Sequence, residues 1–204
     1  MKLAFVGIQG CGKGTQGRIL AEKYGFKVLE LGTEFRNIIK SGSELGEKIK
    51  ELVNNGMQVT EELGREVMEK ILTENTDENI IYDGFVRNKW NLEVFNNFVE
   101  DYKVILFEID LNKAKNRLYS RMYDLETGET FPGDMQVNPK NGNKLVKRDD
   151  DKDLEAIKKR FSEYIEKTLP VVEAQQKQGI VYEINADQEI EKVTEELERK
   201  LGLK

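Results

Sequence analysis

Leu3-Ala4-Phe5-Val6 runs straight into Gly7-Ile8-Gln9-Gly10-Cys11-Gly12-Lys13-Gly14-Thr15. A short apolar run bounded by glycine reads as a buried strand. Beyond the glycines, Ile19, Leu20 and Tyr24 recur at near-helical spacing, so Thr15 to Tyr24 reads as a helix. Strand, glycine loop and helix in that order form a phosphate cradle. Glycines let backbone N–H groups converge on anionic oxygens, and the helix N-terminus adds a favourable field. Lys13 stands where an ammonium reaches the outer phosphates of a triphosphate. One departure is visible: Gly14 separates the lysine from Thr15. Cys11 reads as a small residue tolerated in a tight loop rather than as a reactive thiol.

The rest of the chain alternates strands with helices. Lys27–Glu30, Asn79–Tyr82, Val104–Ile109 and Ile180–Ile184 read as further strands. Between them, helices are expected over 33–40, 44–55, from Thr60 through Leu72, over 90–99 and over 112–123. A long one is expected from Leu154 toward Gly179, and a closing one over 187–200. This order predicts a parallel α/β sheet. Two stretches interrupt it: the helices near 33–55, and a turn-rich segment holding Gly128, Pro132, Gly133, Pro139 and Gly142. Both read as inserts on one core. In the second, Phe131, Met135 and Val137 are expected to supply something to bury, and Thr127, Thr130, Asp134, Asn138 and Asn143 to supply polar contacts.

Composition narrows the chemistry. With 204 residues the chain fits one domain plus inserts. It has no histidine, so no imidazole takes part in its reaction, and its single cysteine leaves neither an internal disulfide nor a cysteine-cluster zinc site. A net charge of -6, without a basic stripe carrying aromatics, argues against nucleic acid as partner. No apolar run is long enough for a membrane span, and the first apolar run is too short for a signal peptide, so a cytoplasmic enzyme is expected. No spare apolar helix face is evident, and a monomer is expected.

Gly12-Lys13-Gly14-Thr15-Gln16 resembles the loop of the adenylate kinases and their nucleoside monophosphate kinase relatives, and the resemblance extends over essentially the whole chain. Gly56-Met57-Gln58-Val59-Thr60 is similar to the segment closing the family's monophosphate insert. Asp83-Gly84-Phe85-Val86-Arg87 resembles its Asp-Gly-Phe-Pro-Arg, and Arg117 and Arg121 its paired arginines before the lid. Gly128 to Arg148 resembles the long, bacterial-type lid, and Arg148-Asp149-Asp150-Asp151 with Arg160 the segment after it. The implied fold is a P-loop NTPase-type parallel five-stranded sheet flanked by helices, with a helical monophosphate-binding insert and a lid. The implied boundaries are 1–29, 60–121 and 151–204 for the core, 30–59 for the insert and 122–150 for the lid.

The implied activity is reversible, Mg2+-dependent phosphoryl transfer from ATP to AMP. The resemblance implies ATP contacts from Gly10, Cys11, Gly12, Lys13, Gly14, Thr15, Arg117, Arg121 and Gln188, with Arg117 packing on adenine. It implies monophosphate contacts from Leu31, Gly32, Arg36, Met57, Val59, Gly84, Arg87, Asn91 and Arg160. Lys13, Arg87, Arg121, Arg148 and Arg160 would surround the phosphates in transfer. Asp83 would hold Mg2+ through water, with Thr15 as a second candidate. The chemistry of the residues agrees: the acceptor is itself a phosphate, largely dianionic at neutral pH, so placement and positive charge suffice and no general base is needed.

Three positions depart from the pattern. Leu31 replaces a threonine that normally faces the acceptor base, Thr33 an aspartate that helps order the magnesium waters, and Asn91 the glutamine with which adenylate kinases read adenine. Asn88 and Asn91 resemble the uridylate/cytidylate kinases, which keeps CMP or UMP open as acceptor. The long lid favours adenylate kinase. The lid has no cysteine or histidine, so the zinc-binding version is not expected. A different P-loop kinase would leave Asp83 to Arg87 and the lid arginines unexplained. A non-catalytic nucleotide binder would fit the loss at Thr33 but not the retained Lys13, Arg87, Arg121 and Arg160.

Overall fold

The computed structural model describes residues 1–54, 59–147, 151 and 153–204. Met57 and Arg148, both expected at the site, lie outside the described residues.

In chain order the elements are β1 (Lys2–Gly7), α1 (Lys13–Tyr24), β2 (Lys27–Glu30), α2 (Leu31–Lys40), α3 (Glu44–Asn54), α4 (Glu61–Glu74), β3 (Ile80–Asp83), α5 (Lys89–Phe98) and β4 (Tyr102–Glu108). Then come α6 (Leu111–Ser120), the two-residue strands β5 (Met122–Tyr123) and β6 (Thr130–Phe131), α7 (Leu154–Glu163), a π-helical turn (Tyr164–Thr168), α8 (Leu169–Gln176), β7 (Val181–Asn185) and α9 (Ile190–Leu201).

The main sheet has the order β2-β3-β1-β4-β7, and every pairing is parallel. Period-2 alternation sends its apolar residues to both faces. Leu3, Phe5, Ile81, Ile105 and Phe107 join Leu20 of α1 and Val193, Leu197 and Leu201 of α9 on one side. Ala4, Val6, Ile80, Tyr82, Val104 and Leu106 join Val67, Ile71, Val94, Phe95 and Val172 on the other. From β1 the chain goes to β2 and β3 on one side and then crosses to β4 and β7 on the other, so it reverses its winding at β1. In such sheets a crevice opens at the carboxyl ends of the strands.

Three boundaries differ from the sequence expectation. The helix expected to reach Tyr123 stops at Ser120, because Arg121 takes an extended conformation (ψ 145°) and Met122–Tyr123 pair antiparallel with Thr130–Phe131. The long helix from Leu154 is divided by the π-helical turn. Pro170 lies at the start of α8, where a missing N–H is tolerated; inside one continuous helix it would break the ladder. The closing helix begins at Ile190, which leaves residues 187–189 as a loop over the crevice.

The segment 122–147 is ordered by a buried charge rather than by the apolar residues expected to fill it. Val137 is exposed; Leu145 and Met122 are the buried apolar residues there. Asp124 is fully covered and accepts hydrogen bonds from the side-chain amides of Asn138 (2.7 Å), Asn141 (3.1 Å) and Asn143 (3.2 Å) and from the backbone N–H groups of Glu126 and Thr127. Burial pushes its carboxyl upward, but these donors outweigh that and hold it well below the usual carboxylate range. Asn138 and Asn143 thus act as expected, while Asp134 stays exposed. Among the described residues no three His, Cys, Asp or Glu side chains converge as metal ligands.

Candidate active site

A cleft of about 1510 Å3 opens at the carboxyl ends of the strands. Single small-ligand pockets run to roughly 1,000 Å3, so this one has room for two nucleotides.

One wall is the glycine loop. Gly10 has φ +89°, and a Cβ there would stand 2.3 Å from the Ala114 carbonyl oxygen, so only glycine fits where the loop crosses α6. Gly12 precedes α1, whose first turn has neither a side-chain cap nor an acidic residue. Its N–H groups and the positive end of its dipole therefore face the cleft unneutralised. Lys13 Nζ donates to the carbonyl oxygens of Gly7 (2.7 Å) and Ile8 (3.3 Å), which holds the ammonium at the loop mouth. Gly14 and Thr15 also line the cleft, and the Cys11 side chain is buried behind the loop.

The opposite wall comes from α2, β3 and α5. Leu31 is buried at the head of α2, next to Gly32. Arg36 Nη2 donates to Thr33 Oγ1 (2.7 Å), which in turn donates to Glu30 Oε2 (3.0 Å). Asp83 ends β3. Gly84 has φ +82°, and a Cβ there would lie 2.4 Å from Arg87 Nη2, so the Arg87 guanidinium lies directly on the glycine backbone. Thr168 of the π-helical turn donates its hydroxyl to the Arg87 carbonyl oxygen (2.7 Å). The Arg87 side chain is open to cleft water yet crowded by protein; desolvation pushes its pKa down, opposed by Asp83 and Glu163, and a guanidinium remains charged regardless. Asn91 is buried, with its amide nitrogen 3.0 Å from the Met68 sulfur, and Val59 also lines the cleft.

The remaining cations come from α6, from Arg121 just after it, and from α7. Arg117 Nη1 donates to the Ala186 carbonyl oxygen (3.1 Å) beside Gln188, whose amide donates to Glu196 (2.8 Å). Arg121 grips Asp151 with two bonds, Nε to Oδ2 (2.6 Å) and Nη2 to Oδ1 (3.1 Å), and Arg160 Nη2 reaches the same Oδ1 (3.0 Å). Sequence reasoning missed this. In the sequence Asp151 is one acid of a charged run, yet in the fold it is only 1% exposed. The available signal was chemical: two arginines bound for one cleft need a shared counter-charge.

All the expected site residues that are described line this one cleft, six of them cations: Lys13, Arg36, Arg87, Arg117, Arg121 and Arg160. Gathering them in a chain of net charge -6 focuses a positive field on the cleft. The segment 122–147 closes over α1. Arg18 contacts Thr130 Oγ1 (3.3 Å) and Glu129 (3.6 Å), and Lys140 bridges Glu22 (3.1 Å) and Glu129 (2.9 Å). The one phenol of note, Tyr164, is pushed by burial up to about 12 and is no base at neutral pH. The arrangement suits anionic ligands whose charge must be held while a group moves between them.

Comparison with known proteins agrees with this chemistry. Residues 5–180 match the family model described as adenylate kinase. The chain is 33% identical to an adenylate kinase of Thermotoga neapolitana, covering 98% of this chain and 96% of the relative. It is 33% identical to an adenylate kinase of Clostridioides difficile, over 99% of both chains. It is 30% identical to adenylate kinase 2 of Schistosoma mansoni, over 96% of this chain and 87% of that one.

Proposed function

The chain belongs to the adenylate kinase family, and from that premise we propose how its own residues carry the family's reaction, reversible transfer of the γ-phosphoryl group of ATP to AMP to give two ADP. The observation that supports the assignment of roles is the one cleft lined both by the bare N-terminus of α1 and by Arg36, Arg87, Arg121 and Arg160.

The backbone from Gly10 to Thr15 receives the triphosphate, and Lys13 holds its outer phosphates. Arg117 packs on the ATP adenine beside Gln188. Arg36 and Arg87 hold the acceptor phosphate, and Leu31, Gly32, Met57, Val59, Gly84 and Asn91 form the acceptor pocket. Arg121 and Arg160, with Arg148, surround the phosphoryl group between donor and acceptor. Two phosphates repel one another, so bringing them in line is where the cations act; placement of this kind removes roughly 7–11 kcal/mol from a barrier. The acceptor oxygen is already ionised and no proton need be removed.

Asp83 accepts no hydrogen bond from the described residues, which leaves its oxygens free for a hard cation or that cation's water. Mg2+ carried with ATP fits this chemistry, with Asp83 and Thr15 as the residues that would hold it, and when bound it neutralises charge on the phosphate oxygens. The segments 30–59 and 122–150 act as the two covers, excluding water that would otherwise compete as acceptor. The protein works as a cytoplasmic monomer; among the described residues no helix is long and apolar enough to cross a membrane.

Steady-state diphosphate formation from ATP·Mg2+ with AMP, CMP, UMP and GMP in parallel tests the reading. AMP is the expected acceptor, with Leu31 and Asn91 as tolerated changes in the base pocket. Preference for CMP or UMP would make Asn91 a pyrimidine reader, and nucleotide binding without transfer would overturn the enzymatic assignment.

A further inference from the structure

Glu30 has no role in the chemistry described so far, and its surroundings call for one. It ends β2 as Asp83 ends β3, and the two are register partners on adjacent parallel strands. Such strands lie about 4.8 Å apart, and registered side chains leave the sheet on the same face. Both carboxylates therefore emerge side by side at the cleft. Glu30 Oε1 lies 3.7 Å from the point where a Cβ on Gly14 would stand, which puts it against the phosphate loop one residue before Thr15. Glu30 precedes α2 in the N-cap position, yet its side chain caps nothing there. The hydrogen bond it accepts comes from the Thr33 hydroxyl, through which it is linked to Arg36.

We propose that Glu30 is a positioning residue for the magnesium that accompanies ATP, acting beside Asp83 as a second carboxylate that orders the ion's water shell. This rests on the phosphoryl-transfer reading above. Mg2+ keeps several waters and is held by one or two carboxylates together with substrate phosphates. A pair of carboxylates at adjacent strand ends, touching the loop that receives those phosphates, is such an arrangement. Thr33 at position 33 supplies no charge of its own, but its hydroxyl fixes the Glu30 carboxylate, so the negative charge sits one helical turn earlier in the chain. Of the cations near this spot, Arg18 is bound to Glu129 and Thr130 and Lys13 to loop carbonyls, while Arg36 reaches Glu30 through Thr33 and Arg87 faces Asp83.

The test uses Mn2+ as a spectroscopic stand-in for Mg2+, titrated by electron paramagnetic resonance into the full chain saturated with ADP. In Glu30→Gln the Mn2+ Kd rises about 10-fold, the usual effect of losing an outer-sphere carboxylate, while the affinity for ADP without metal does not fall. The double variant Glu30→Gln/Thr33→Asp, which returns a carboxylate to the same turn, recovers most of the loss. A Mn2+ Kd in Glu30→Gln within twofold of the native protein overturns the proposal. So does a rise confined to the KM for AMP, which would make Glu30 a support for Arg36 instead. The native chain separates this from failure of the broader reading: if it forms no ADP from ATP and AMP, the kinase assignment falls; if it does and Glu30→Gln binds metal normally, only the role of Glu30 falls.

Discussion

Asp151→Ala removes a carboxylate that Arg121 and Arg160 share. Three hydrogen bonds of 2.6, 3.1 and 3.0 Å disappear. Breaking a fully buried ion pair costs about 3–5 kcal/mol. Here the two arginine side chains are each 22% exposed, so water recovers part of that, and a loss of about 2 kcal/mol in stability is expected. The larger effect falls on catalysis. Two long side chains that lose this shared anchor must be re-aimed around the transferring phosphoryl group, at about 0.5–1.5 kcal/mol each. Together that is about 1–3 kcal/mol on the barrier, or a drop in kcat of roughly 5- to 150-fold. Because the contacts tighten as the group moves, kcat falls while the KM for ATP and for AMP changes little. A coupled steady-state assay on the purified variant, with thermal unfolding alongside, reads both quantities. Asp151→Asn, which retains one acceptor oxygen, falls between. If kcat stays within twofold of native, or increases, Asp151 does not aim these arginines and the reasoning fails.

Three other perturbations follow from the geometry. Gly84→Ala places a methyl group 2.4 Å from Arg87 Nη2 at a φ of +82°; the KM for AMP should rise at least about 10-fold with the KM for ATP nearly unchanged, and backbone strain should cost about 1–2 kcal/mol in thermal unfolding. Asp124→Ala strands the donors that converge on it, so amide exchange across 122–147 should accelerate roughly 10- to 100-fold while the sheet keeps its protection; uniform exchange throughout would count against a locally held lid. Glu198 is fully buried, and Lys204 and Lys23 hold its carboxyl down at about 2. A depressed carboxyl contributes stability that is complete above its unfolded pKa, near 4.3, and is lost as pH falls through about 2. Glu198→Gln should therefore cost about 2 kcal/mol at pH 7, discounted because Lys23 and Lys204 are largely solvated, and the gap should close on acidification below pH 4. A gap that stays constant with pH would exclude the charge as its origin.

Much of this architecture is carried by local chemistry. Apolar runs of four to six residues alternate between the two faces of a parallel sheet, and period-2 burial makes them strands whatever surrounds them. The glycine loop is equally local: Gly10 and Gly12 adopt positive φ, and Lys13 follows them directly. Many of the cleft-lining positions were legible because they adjoin such landmarks, as Gly84 and Arg87 adjoin Asp83. What stayed hidden depends on partners far apart in the chain. Asp151 looks like one more acid in a charged run until the fold carries Arg121, 30 residues away, onto it. Thr168 steadies Arg87 across 81 residues. Asp124 becomes the centre of its segment only when Asn138, Asn141 and Asn143 turn inward, and Glu30 meets Asp83 only through the register of β2 against β3, with α2, α3 and α4 between them in the chain. By itself the sequence determined the strands, the phosphate loop and the stock of cations, because hydrophobic periodicity and glycine conformation act within a few residues. The tertiary structure alone decided which carboxylate each cation faces and which is left to the cleft, because the energy of a charge depends on its distance to another charge and on the water between them, and neither is set along the chain.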